Sequence, residues 1–157
     1  MVEGIEFLPF SDNHADAFKS LNEEWLSRHF EVEPYDHKVL SLPNEEILNQ
    51  GGFIFMVKKQ NRIIGTFAFL KKEQDVFEFS KMAVTSGEQG NGIGNKMMQF
   101  AIRFAEQHHW KKVILYSNTK LQNAIYLYRK YGFIEVAVES DVHYARCNIK
   151  MELCLKN

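Results

Sequence analysis

Between residues 4 and 10 apolar and polar side chains alternate weakly over a stretch short enough for a strand. Ser11 or Asp12 then offers a cap to a helix on which Ala15, Phe18, Leu21 and Trp25 recur at helical spacing. From 30 to 50, Glu31, Glu33, Pro34, Asp36 and Pro43 interrupt short apolar pieces, which predicts one or two short, irregularly joined helices. Residues 52–58 and 62–70 are rich in Phe, Ile and Val around a polar hairpin connection at 59–61, and a third such run covers 76–84. These three runs predict an antiparallel meander. A glycine-rich stretch at 87–94 then leads into Ile93, Met97, Ala101, Phe104 and Ala105, spaced as one buried stripe of a long helix. Residues 112–116 read as a strand, 121–131 as a helix, 132–138 as a strand and 144–155 as a last strand.

The order β-α-(α)-β-β-β-α-β-α-β-β predicts a mixed α+β fold. Its central sheet is mixed but mostly antiparallel, with helices on both faces, because a strand-to-helix crossover follows the meander. At 157 residues, 45% hydrophobic and 25% charged, the chain suits a single domain over 1–157 with one core. No apolar run reaches the roughly 18 residues of a membrane span, and residues 1–14 lack the layout of a secretory signal, so no membrane partner and a cytoplasmic location are expected. The net charge of −1 argues against a nucleic-acid partner. The two cysteines, Cys147 and Cys154, would lie on opposite faces if 144–155 were one strand.

The glycine-rich stretch carries the chemistry. Gln89, Gly90, Asn91, Gly92, Ile93, Gly94, Asn95 and Lys96 open a helix directly after a strand, so unpaired backbone N–H groups and the helix dipole make a site for a phosphate or pyrophosphate. Gly94 is followed by Asn95 and Lys96 rather than Lys and a hydroxyl residue, which excludes a Walker loop. Glycines at every second position after a meander also depart from the G-x-G-x-x-G dinucleotide fingerprint. What remains is Gln, two residues, Gly, one residue, Gly, filled by Gln89, Gly92 and Gly94.

That pattern resembles the coenzyme A pyrophosphate signature of the GNAT N-acetyltransferases. Ala124, Tyr128, Gly132 and Phe133 resemble the family's later motif, an Ala-bearing helix with a Tyr that ends at Gly-Phe. Many relatives carry Asn where this chain has Leu121, with Asn118 and Asn123 on either side. The resemblance implies the GNAT fold, acetyl-CoA as co-substrate, no metal, and a primary amine of a small molecule or peptide as acceptor. Monomer and homodimer both stay open. It further implies that Met82, Ala83 and Val84 pair with pantetheine as an added strand would, and that Asn118 or Asn123 meets its amides.

An amine with a pKa near 10.4 is about one part in two thousand neutral at pH 7, a deficit of roughly 4.6 kcal/mol that a general base offsets. The resemblance points to Glu78 on the third strand of the meander as that base, to a backbone N–H near Val84 for the oxyanion, and to Tyr128 as the acid for the departing thiolate. Direct attack in a ternary complex is the implied route. The alternatives are a non-catalytic acyl-CoA-binding regulator and an acyltransferase for another acyl-CoA. On the acceptor side, Arg146 offers a fork for a substrate carboxylate, with His143 and Tyr144 beside it, whereas Glu31, Glu33, Tyr35 and Asp36 would suit a cation. His108 and His109, far from the phosphate end of their helix, receive no role.

Overall fold

The computed structural model describes residues 4–142 and 145–155. The elements are β1 (Ile5–Pro9), α1 (Ala15–His29), α2 (Pro34–Ser41), β2 (Phe53–Lys59), β3 (Arg62–Glu73), β4 (Val76–Val84), α3 (Ile93–Gln107), β5 (Lys112–Ser117), α4 (Gln122–Lys130), β6 (Ile134–Val136) and β7 (Ile149–Cys154). They form one seven-stranded sheet in the order β1-β2-β3-β4-β5-β7-β6. Every pairing is antiparallel except β4 with β5, the pair joined by the α3 crossover. Among the described residues no helix is long and apolar enough to cross a membrane.

Strand alternation gives each sheet face its own helices. Ile54 and Met56 of β2, with Ala68 and Leu70 of β3, pack under Phe18 and Leu26 of α1 and Val39 and Leu40 of α2. Phe55, Phe67, Phe69, Phe77 and Phe79 face the other way, against Met97, Met98 and Ala101 of α3 and Tyr128 of α4. Trp110 stacks on Phe77 at 3.7 Å between ring centroids and seals the end of this layer beside β4. Truncating so large a buried ring costs about 3–5 kcal/mol, so this contact helps hold β4 in place.

The meander matches its sequence pattern, and the hairpin turns at Gln60 and Asn61, both with positive φ, as a two-residue primed turn requires. The segment 30–50 contains α2 and a short wide turn at Asn44–Leu48. Two expectations need correction. The strand expected over 132–138 shrinks to Ile134–Val136, an edge strand. The last strand begins only at Ile149, because the Ala145 N–H donates to the Glu33 carboxylate and Arg146 reaches Glu33 and Asp36, which draws 145–148 away from the sheet. Cys147 therefore lies before the strand, and its face relative to Cys154 has no strand meaning. His143 and Tyr144 lie outside the described residues.

Candidate active site

β4 and β5 pair only through Val76, Phe77 and Glu78, and the last shared rung is Glu78 with Ile114. Beyond it β5 stays paired with β7 on its other edge, β4 stays with β3, and the two strands diverge. The divergence opens a cleft of about 660 Å³ between α1 on one side and the β5–α4 connection on the other. Its floor is residues 78–84 of β4, one end is the start of α3, and the other end is a group of ionisable side chains.

At the phosphate end, Gly92 caps α3 at φ +79°, a left-handed conformation that glycine adopts without strain. Gly90 has φ +83°. A Cβ on Gly94 would stand 3.4 Å from Leu127 and 3.5 Å from Met82, so the helix start lies close against both α4 and β4. Gln89 donates to the Val84 carbonyl at 3.1 Å. Behind the loop, Glu88 accepts from Lys59 at 2.8 Å, Arg62 at 3.2 Å and Asn91 at 3.3 Å, which ties the loop to the β2–β3 hairpin. The open N–H groups of a fifteen-residue helix, approached over glycines, fit a pyrophosphate.

Met82, Ala83, Val84, Gln89, Gly90, Gly92, Ile93, Gly94, Asn95, Asn118 and Asn123 all border the cleft. Asn91 and Lys96 stand off its wall, Asn91 on Glu88 and Lys96 in solvent. The two asparagines differ in what they already do. Asn118 donates to the Arg146 carbonyl at 2.6 Å and accepts from the Lys120 N–H at 2.9 Å, so its amide braces the acceptor-side turn, while Asn123 is exposed at the start of α4.

The ionisable end is buried. Glu78 is 4% exposed; burial raises its pKa, and the charges of Lys72, at 3.6 Å, and Lys81 oppose the rise only in part. Asp36 is fully buried, yet the two bonds from Arg146, the Glu33 N–H at 2.9 Å and the charge of Lys81 outweigh burial and hold its pKa low. Arg146 grips Asp36 with both nitrogens, at 2.7 and 2.8 Å, and reaches Glu33 at 3.1 Å. Its fork is thus engaged inside the protein, on the same Glu33 and Asp36 that the sequence offers to a cation. Tyr35 packs beside this group, its pKa raised by burial and by Glu78.

Lys81 gave no functional signal in the sequence beyond being a cation in an apolar strand. In the structure Lys81 and Met82 together oppose Phe67, a β-bulge, and Lys81 takes φ +56°. Its side chain is 5% exposed, 3.9 Å from Asp36, and burial lowers its pKa to about 8 against the pull of Asp36 and Glu78. A second unforeseen group, Tyr116 donating to Glu139 with Lys150 at 2.9 Å from the same carboxylate, pins the 137–142 segment to β5 and β7. Tyr128 borders the cleft from α4 at 9% exposure, and burial raises its pKa to about 12, above the value near 10 expected of an unperturbed phenol.

The profile of the acetyltransferase (GNAT) family matches residues 15–133. A curated mycothiol acetyltransferase of Saccharomonospora viridis is 29% identical over 93% of this chain, which spans about half the length of that relative. Among solved structures, a GNAT-family acetyltransferase of Staphylococcus aureus superposes with a TM-score of 0.85 at 19% identity, over 97% of this chain and 99% of that one. A spermidine N-acetyltransferase of Vibrio cholerae, in complex with CoA and spermine, superposes with a TM-score of 0.77 at 18% identity, over 98% and 96%. These likenesses agree on the fold. The chain belongs to the GNAT acetyltransferase family.

Proposed function

We propose that the chain transfers the acetyl group of acetyl-CoA to the primary amine of a small molecule, by direct attack of the amine within a ternary complex. The observation that carries this reading is the divergence of β4 and β5 at Glu78, which puts a helix N-terminus and a buried carboxylate at opposite ends of one cleft. The start of α3, with Gly90, Gly92 and Gly94, would hold the pyrophosphate, and the freed edge of Met82, Ala83 and Val84 would take the pantetheine as an added strand. Acetyl-CoA supplies the activated thioester.

Glu78 receives the proton of the attacking amine. Its raised pKa brings its basicity closer to neutral pH, where a general base is most effective. A backbone N–H of the floor near Val84 faces the developing oxyanion. Tyr128 lines the cleft and keeps its phenol proton across the assay range, and it donates that proton to the sulfur as the carbon–sulfur bond breaks. Charge at the acceptor end favours a compact amine over a polycation. The acids Glu33, Asp36 and Glu78 are matched by Lys72, Lys81 and Arg146, so no surplus of negative charge awaits a second ammonium group. The printed names of the relatives, a mycothiol acetyltransferase and a spermidine N-acetyltransferase, lend the class of reaction and not its acceptor.

CoA release followed with a thiol reagent over a panel of primary amines, beside calorimetric CoA binding, tests the reading. Amine-dependent release supports it. Tight CoA binding with no release on any amine would sink it in favour of a binding protein, and faster release from propionyl- or succinyl-CoA would change the acyl donor.

A further inference from the structure

Lys72 reaches Glu78 from outside the cleft. In the β3–β4 hairpin Lys71 pairs with Phe77 and Glu73 with Val76, which leaves Lys72 as the extra residue of a β-bulge. Glu78 pairs with Leu70, two residues before Lys72, and Leu70 belongs to the face that packs under α1 and α2. Nζ of the bulged lysine stands 3.6 Å from Oε1 of Glu78. The Lys72 side chain is 35% exposed and that of Glu78 is 5% exposed, and Glu78 borders the cavity while Lys72 does not. The pair therefore joins the cleft to the outer surface, with the cation on the water side.

Resting on the reading of Glu78 as the base, we propose that Lys72 is a positioning residue for the transfer, holding the Glu78 carboxylate ionised and in place from outside the cleft. A buried carboxylate without a counter-charge is costly to keep ionised, and a protonated one cannot take the proton of the amine. A cation seated inside the cleft would meet the carboxylate too, but it would also repel an ammonium acceptor. Lys72 supplies the counter-charge without entering the acceptor's space.

The other groups around Glu78 do not replace it. Ser80 and Lys81 approach from β4, Tyr35 from α2, Tyr116 from β5 and Cys147 from the turn before β7. Burial favours the neutral carboxyl, and of the charges that oppose it Lys72 acts first, ahead of Lys81. Lys81 is shared with Asp36 at 3.9 Å, whereas Tyr35, Tyr116 and Cys147 carry no positive charge in either protonation state.

The test compares the acid limb of kcat/KM for amine-driven CoA release in the wild type, Lys72→Met, Lys72→Gln and Lys72→Arg. Removing the cation should move the limb to higher pH by about one unit, a loss of about tenfold at a given pH on the limb, and should leave the rate above the limb and the acetyl-CoA affinity unchanged. Lys72→Arg keeps the charge and should restore the limb. Lys71→Met, next in sequence but paired with Phe77 on the α3 face, should leave it where it is. The Glu78 carboxyl signal, followed by NMR in protein carrying isotope-labelled glutamate, should titrate upward by the same amount in Lys72→Met and Lys72→Gln, whether or not chemistry limits turnover. An equal rate loss at every pH, or a Glu78 titration that stays put in both neutral variants, overturns the proposal. Wild-type release with a limb that Glu78→Gln abolishes and the Lys72 variants leave in place overturns the role of Lys72 alone. No wild-type release, or a limb that survives in Glu78→Gln, overturns the base reading and this proposal with it.

Discussion

Glu78 faces Ile114 across the last rung that β4 and β5 share, so the carboxylate stands where the sheet opens. The pairing that buries Glu78 also ends there, and the freed β4 edge beyond it is the surface to which a thioester would be presented. One local divergence thus accounts for both the perturbed acid and the cleft beside it.

At the phosphate end, Gly92→Val forces a branched side chain into φ +79°, at a cost of roughly 1–2 kcal/mol, and sets its methyl groups at the cap of α3. CoA affinity should fall by on the order of tenfold or more, a loss of at least about 1.4 kcal/mol by calorimetry. Gly94→Ala, whose Cβ makes ordinary contacts at 3.4 and 3.5 Å, should fold as the wild type does. Unchanged CoA affinity in folded Gly92→Val would remove the loop from the cofactor site.

Arg146→Met should lower stability by about 3 kcal/mol in urea unfolding, since it leaves the buried Asp36 carboxylate without its two strongest bonds. Arg146→Lys should recover only part of this, because an ammonium cannot form the fork. Wild-type stability together with a raised acceptor KM would instead return Arg146 to substrate binding.

The folded pKa of Lys81, about 8, lies below the ordinary lysine value of 10.5. The folded chain therefore binds this proton less tightly than the unfolded chain, and the charged lysine costs stability below pH 8, a cost relieved as pH rises from 8 toward 10.5. Relative to Lys81→Met, the wild type should gain stability over that window. Thermal melts at pH 7, 8.5 and 10 read the difference; a difference that is flat with pH contradicts a depressed lysine.

Tyr128→Phe keeps the packing against Phe133 and removes only the hydroxyl. With its pKa at about 12 the phenol is protonated throughout the assay range, so kcat should drop by about 10²-fold by a factor independent of pH from 6 to 9. Melting temperature and acetyl-CoA affinity should stay put. A wild-type rate, with chemistry shown to limit turnover, would make Tyr128 a packing residue.

Much of this arrangement could be read from sequence because it is local. The 76–84 strand, the Gln89 to Gly94 spacing and the Ala124 to Phe133 helix each lie within a dozen residues, where periodicity and turn chemistry act directly. The acceptor end is different. Asp36 and Arg146 meet across 110 positions, and neither residue carries a local mark of the other. Arg146 taken alone offers its fork to any carboxylate; in the folded chain Asp36 holds it. The late start of β7 has the same origin, since the contacts that draw 145–148 aside come from Glu33 and Asp36. The bulge at Lys81 was hidden for another reason, because one extra residue in a strand leaves the hydrophobic alternation on either side intact.

The most direct test of the account is the pH dependence of amine-driven CoA release by the wild type and Glu78→Gln, with the best amine of the panel. Burial raises the Glu78 pKa, so the base is lost as pH falls through a value above the ordinary carboxylate range, and wild-type kcat/KM should decline on that limb. Glu78→Gln should lose about 10²-fold at neutral pH, lose less at high pH where free amine is abundant, and bind acetyl-CoA as before. An equal loss at every pH, or no loss at all, would contradict a proton-accepting Glu78 at the opening of the sheet.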